Sequence, residues 1–346
     1  MIAQTPFSSV ILTAHGPVFR CDQRVHMPEH SPFVIVKPAR VGVCSSDLKE
    51  VRGVRLYRHD FGHEIVGTLW ETNLCDTLQP GDRVVYDPHV HLQRNSGFSE
   101  LVVAISSPEL LNNAFLKVSE DVDVDKLVFL EPLACIAHAY RRLEAVVPSI
   151  RERRGRLGII GAGNAGTLAA YYGRHLGFAV TLINRSSERL KFLQNAGLLP
   201  GLEMALCHEL DGDSFDVVFL TTSFLSADVV QLGLNSVANN GTVVLYGGTT
   251  PGTNCNGADL DCLRRSERHA LIQWREKPVT LIGTHGAVRT DFVVAYEAMR
   301  AKPRQFPLEQ LITRRVRLPQ LPELLISMSR AVDHCTGKAV VTFSLS

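Results

Sequence analysis

Leu157-Gly158-Ile159-Ile160, followed at once by Gly161-Ala162-Gly163-Asn164-Ala165-Gly166, is the stretch that most narrows what this chain can become. A run of buried-strand residues that turns on glycines into a helical pattern is a strand–turn–helix. In that setting the first glycine makes the tight turn, the second lets backbone approach a pyrophosphate, and the third lets helix pack on strand. The helical pattern runs over residues 164–176. The alternation then continues: residues 180–183 read as a strand, 187–196 as a helix, 215–220 as a strand, a helical stretch reaches Val237, and 241–246 and 279–283 are strands again. Strands alternating with helices specify an α/β domain on a doubly wound parallel sheet. Gly161, Gly163, Asn164, Ala165 and Gly166 are therefore candidate dinucleotide contacts. The competing reading is a glycine-rich turn kept for packing alone.

The next strand ends Ile183-Asn184-Arg185-Ser186-Ser187. An acidic residue there would bind the ribose 2′-OH of NAD. Asn184 removes the charge that would repel a 2′-phosphate, Arg185 offers a planar donor fork, and Ser186 and Ser187 offer hydroxyls and the next helix's N-terminal amides. This favours NADP(H) over NAD(H). The alternative is that Arg185 is a solvated charge and NAD is accepted.

Residues 1 to about 145 have a different texture, with short strands at 34–38, 39–43 and 83–86 and turns such as Pro80-Gly81 between them, a β-rich unit. Within it, Cys44 in VGVCSSD, His63-Glu64 in GHEIVG and Glu131 in LEPLA supply a thiolate, an imidazole and carboxylates. These are the mixed ligands of a catalytic zinc, which keeps one position open for water or substrate. The tail carries helices at 292–299 and 321–329 and a final strand at 339–343.

A chain of 346 residues suits two domains, and its 45% hydrophobic and 21% charged residues are those of a globular protein. A net charge of +1 gives no field favouring nucleic acid or a membrane surface. No apolar stretch approaches the roughly 18–20 residues of a membrane span, and the first residues lack the basic start of a secretory signal. The eight cysteines, with no CxxC pair, read as reduced thiols, so a cytoplasmic enzyme is expected.

The segments VGVCSSDLKE, FGHEIVGTL, QPGDRVVYDP, GFSELVV, LEPLACIAHA, GIIGAGNAG, FDVVFLTT, GTVVLYGG, TLIGT and GKAVVTF also stand in a familiar order and spacing. Through them the chain resembles, nearly end to end, the zinc-dependent branch of the medium-chain dehydrogenase/reductase family, most closely its sorbitol (polyol) dehydrogenase-type members. The resemblance implies a GroES-like catalytic domain at 1–145, a Rossmann nucleotide-binding domain at 146–287 and a C-terminal return to the catalytic domain at 288–346. It implies Cys44, His63 and Glu131 as zinc ligands, with Glu64 contacting the metal directly or through water. Ser46 matches the hydroxyl that bonds the substrate oxygen and passes its proton on, and Asp47 matches an acid that orients the metal-bound histidine. Lys49 stands where many relatives have a proton-relaying histidine, and a lysine is a poor acceptor unless its pKa is lowered. Many relatives carry four closely spaced cysteines for a structural zinc; residues 89–97 hold none, so one zinc per chain is expected. His138 reads as structural, and His59, His89 and His91 as loop surface.

The implied activity is interconversion of a secondary alcohol and a ketone on a polyol, sugar or cyclitol by hydride transfer, with NADPH pointing to biosynthetic carbonyl reduction. The basic segment 49–58 is either a contact for an anionic, for example phosphorylated, substrate or a solvated loop. A threonine- or amino-alcohol-type dehydrogenase using NAD is the alternative; a non-catalytic dinucleotide-binding protein is disfavoured by the presence of both Cys44 and His63. The resemblance further implies a homodimer or homotetramer joined through Rossmann sheet edges, with 279–283 near that edge.

Overall fold

The computed structural model describes residues 6–26, 30–54, 61–74, 77–212, 214–301, 306–330 and 337–343. The chain divides into one unit of Met1–Glu131 with Leu308–Ser346 and a second of Pro132–Pro307.

The first unit is built around the strand Phe33–Gly42, whose Val34, Ile35 and Val36 are fully buried. It pairs antiparallel with Glu64–Thr72, and toward its two ends with Val102–Ile105 and Lys338–Thr342. The two short strands expected across 34–43 are thus one. Pro38 is accommodated because the register with Glu64–Thr72 shifts between Pro38 and Arg40, a bulge where a residue without N–H is tolerated. Arg83–Tyr86 and Phe115–Lys117 extend the sheet beyond Glu64–Thr72, and Ile312–Val316 extends it beyond Lys338–Thr342. A hairpin of Phe7–Thr13 and Gly16–Gln23, not foreseen from the sequence, precedes it.

The second unit is a seven-stranded sheet. Glu203–Leu206, Ala179–Asn184, Arg156–Ile160, Phe215–Leu220, Val237–Leu245 and Lys277–Gly283 lie side by side in that order and run parallel. The winding reverses on either side of Arg156–Ile160, the strand that leads into the glycine turn, which is where doubly wound sheets bind their ligands. Residues 279–283 were expected near the sheet edge; the edge itself is the antiparallel strand His269–Trp274, with Leu271 72% exposed. Helices Asn164–His175 and Ser187–Asn195 follow their strands as the pattern suggested. Among the described residues no helix is long and apolar enough to cross a membrane.

Candidate functional site

Cys44 follows the strand Phe33–Gly42 and stands at the head of the helix Ser45–Val51, while His63 immediately precedes the strand that Glu64 opens. The ladder pairs Gly42 with Glu64, bringing these chain ends together. As a result one donor atom each from Cys44, His63 and Glu64 lies within 4.8 Å of the other two. A thiolate, an imidazole and a carboxylate gathered so closely fit a zinc ion. The pairing needs a glycine: a Cβ at Gly42 would fall 2.0 Å from Glu64 Oε2 and 2.8 Å from Lys338 Cε.

Glu131 is buried at the start of the helix Leu130–Val146, near enough for its charge to act on Glu64 and Lys338. It does not join the set of three, and its carboxylate lies instead within 4.8 Å of a His89 ring nitrogen. His89, expected at the loop surface, is half-buried, with Nδ1 3.0 Å from Asp87 Oδ1. Lys49 is half-buried in the last turn of Ser45–Val51. Residues 55–58 of the basic segment and His59 lie outside the described residues.

Asp47 organises the cluster. Its Oδ2 accepts the Cys44 N–H at 2.8 Å, and its Oδ1 accepts the Gly62 N–H at 3.1 Å and lies 3.5 Å from His63 Nδ1. Burial works to raise the Asp47 pKa, but His63 and the two N–H groups hold it below the usual carboxylate range. Burial likewise works to lower His63, and the charge of Asp47, with Cys44, holds it well above the usual histidine value. Ser46 Oγ lies 3.4 Å from the other ring nitrogen, Nε2.

Lys338 was missed from the sequence. It is 3% exposed and forms an ion pair with Glu64 Oε2. Burial acts against its charge, yet Glu64, Cys44 and Glu131 together hold it above the ordinary lysine range. For Glu64 burial wins, helped by Glu131, and the carboxyl sits above its ordinary value despite Lys338. The available signal was a lone lysine opening the apolar strand Lys338–Thr342, since a lysine is rarely buried without a partner.

In the second unit the glycine turn is closely moulded. A Cβ on Gly166 would lie 1.7 Å from the Gly161 carbonyl oxygen, whereas one on Gly163 would meet nothing within 4 Å, so that glycine faces open space. Asn164 opens the helix and Ala165 follows it, both half-buried. Asn184 turns inward: Oδ1 accepts the Ala162 N–H at 3.1 Å and Nδ2 donates to the Ser186 carbonyl at 3.0 Å. The Ser186 hydroxyl donates to Glu188 Oε2 at 3.2 Å, leaving the exposed Arg185 as the cation beside the strand end. Arg189, not anticipated, donates from Nε to the Ala162 carbonyl at 2.6 Å and ties the next helix to the turn. His138 is buried elsewhere in this unit, bonded to Asp291 and Glu267.

Comparison with known proteins agrees with these features. The family model for the alcohol dehydrogenase GroES-like domain matches residues 31–104. An uncharacterized zinc-type alcohol dehydrogenase-like protein of Haemophilus influenzae is 27% identical over 198 residues, 51% of this chain and 56% of its own length. The erythritol/L-threitol dehydrogenase of Mycolicibacterium smegmatis is 26% identical over 297 residues, covering 71% of this chain and 78% of that protein. Among solved structures, galactitol-1-phosphate dehydrogenase from Escherichia coli superposes with a TM-score of 0.74 at 21% identity, over 97% of this chain and 100% of that one.

Proposed function

Because the chain belongs to the medium-chain dehydrogenase/reductase superfamily, in its zinc-type alcohol dehydrogenase branch, we propose that it interconverts a secondary alcohol and a ketone on a polyol, sugar or cyclitol, with one zinc ion and NADP(H) in preference to NAD(H). The observation that carries this reading is the meeting of Cys44, His63 and Glu64. These three would hold the metal, with Glu131 at its border. Zinc bound by these residues would supply Lewis-acid chemistry at the substrate oxygen, and a nicotinamide bound at the glycine turn would supply hydride chemistry. Asp47 keeps the His63 ring oriented, Lys338 holds the Glu64 carboxylate, and Ser46 is the hydroxyl that would relay the proton, accepting that of the alcohol oxygen as it passes its own on toward solvent, or the reverse. Arg185 supports the NADP(H) preference, as an exposed cation where an acidic residue would favour NAD.

The polyol assignment draws on the two relatives named for erythritol/L-threitol and galactitol-1-phosphate, the second of which also keeps a phosphorylated substrate in view. The edge strand His269–Trp274 with its exposed Leu271 is the surface through which a homodimer or homotetramer would form.

Metal analysis with fluorescence titration by NADPH and NADH tests the whole reading. The expected result is about one zinc per chain and tighter NADPH binding. Arg185→Ala should weaken NADPH about tenfold or more while leaving NADH nearly unchanged. Tighter NADH binding by the parent chain would remove the NADP(H) assignment. Good turnover of simple primary alcohols with little on polyols or their ketones would remove the substrate class.

A further inference from the structure

His63 is carried into the metal cluster by Phe61-Gly62, a short segment held from outside at nearly every polar atom. Gly62 has φ +77°, in the left-handed region, and a Cβ on it would strike the Phe98 ring at 2.7 Å. A glycine peptide left alone has wide conformational freedom. Here its N–H donates to Asp47 Oδ1 at 3.1 Å, and its carbonyl accepts from Arg94 Nη2 at 2.8 Å. The other arm of the guanidinium, Nη1, donates to the Asn95 carbonyl at 2.7 Å, and the group sits over the Tyr86 ring at 4.8 Å. The segment after Arg94 closes on the same place. Gly97 N–H donates to the Phe61 carbonyl at 3.0 Å, and a Cβ on Gly97 would lie 2.0 Å from the Gly62 oxygen.

Arg94 is only 7% exposed. Burying a guanidinium costs several kcal/mol, and for packing alone an apolar side chain of similar volume would serve as well or better. A fixed donor fork does what a hydrocarbon cannot: it sets the direction of a carbonyl. We propose that Arg94 is a positioning residue for the metal centre. Together with Asp47 it clamps the Gly62 peptide from both sides, so that the next residue, His63, already meets Cys44 and Glu64 before an ion arrives. The inference rests on the zinc reading of those three residues.

The test is competition for Zn²⁺ against a chelator of known affinity, with the visible spectrum of the Co²⁺-loaded chain, on the parent, R94K and R94M. Thermal unfolding of the metal-free proteins runs alongside. Zn²⁺ affinity should fall about 10–100-fold in R94M and less in R94K, whose single ammonium can hold the Gly62 carbonyl but not both carbonyls. The Co²⁺ bands should shift in the same order, while metal-free R94K melts close to the parent. Unchanged Zn²⁺ affinity in R94K and R94M overturns the proposal. So does an affinity loss that merely follows the loss of metal-free stability across the two variants. If R94M does not fold, R94K against the parent decides by its affinity and spectrum. A parent chain that takes up neither ion would sink the zinc reading itself, and this inference with it.

Discussion

His63 and His138 each lie beside a buried aspartate, and of the two only His63 stands in a group that could hold a metal ion among the described residues. Around His63 the neighbours are the Cys44 thiol and the Glu64 carboxylate, groups that a metal ion can take over. Around His138 both ring nitrogens are already engaged, Nδ1 with Asp291 at 2.8 Å and Nε2 with Glu267 at 2.5 Å. Those carboxylates are in turn covered: Asp291 accepts from Arg141 at 2.7 Å and from the Val288 N–H at 2.9 Å, and Glu267 from the His285 N–H at 3.0 Å. Burial alone would raise the Asp291 pKa, yet His138, Arg141 and the Val288 N–H bring it down to about 2. A histidine–carboxylate pair thus belongs to a candidate metal centre or to a structural clasp according to what else surrounds the ring. A carboxylate on each nitrogen makes the clasp; a thiol and a carboxylate gathered with the ring make the candidate centre.

The largest expected effect separates the two at once. Cys44→Ala should abolish zinc uptake and lower turnover about a thousandfold, since the metal supplies several kcal/mol of transition-state stabilisation. Far-UV circular dichroism should remain that of the parent. Retained zinc and turnover would show that the His63 cluster is a second clasp. Next, Asp291→Ala removes the carboxylate shared by His138 and Arg141 and should destabilise the chain by about 2–3 kcal/mol in denaturant unfolding, with zinc content intact. Loss of zinc in that variant would mean the two clusters are not separate in function.

The smallest effect is a pH dependence. The Asp291 pKa is depressed, so its contribution, about 2 kcal/mol, is present above its ordinary value of 3.8 and is lost as pH falls through about 2. For His138, burial is outweighed by Asp291 and Glu267 and the pKa is raised; its contribution is present below 6.5 and is lost as pH rises through the folded value. The stability gap between the parent and His138→Gln should be widest between these two ordinary values and narrow on the alkaline side. A gap that fails to narrow as pH rises above 6.5 would mean His138 is uncharged in the folded chain, and the clasp would then be a hydrogen-bonded rather than an ionic one.

What could be read in advance depended on how local the cause was. Cys44, His63 and Glu64 could be named together because each sits at the end of a strand-like run with its own short motif. The strand Phe215–Leu220 and the helix Leu321–Ser329 fall on the residues that their apolar patterns name. Lys338 was hidden because its pairing with Glu64 depends on strand register across a sheet, which no local pattern states. Glu267 and Asp291 were hidden for the same reason, being far from His138 in sequence. Asn184 was legible as a non-acidic residue, but its amide bonds to nearby backbone, as asparagine side chains at turns do, instead of facing a ligand. His269–Trp274 carries no clear strand pattern because His269 and Gln273 interrupt its short apolar run.

Gly42 carries a consequence for how this chain can change over generations. The space beside it is shared by the Glu64 carboxylate and the Lys338 stem, and even a methyl group there would overlap both. A one-carbon substitution in a sheet, at a residue with no reactive group, would therefore displace the Glu64 carboxylate and its counter-charge while leaving all the chemistry-bearing residues in the sequence. A descendant with Ala at this position would still display every motif by which a dehydrogenase is recognised. It would need to shed the Lys338–Glu64 pair, or find another register, before it could hold an ion in the same way.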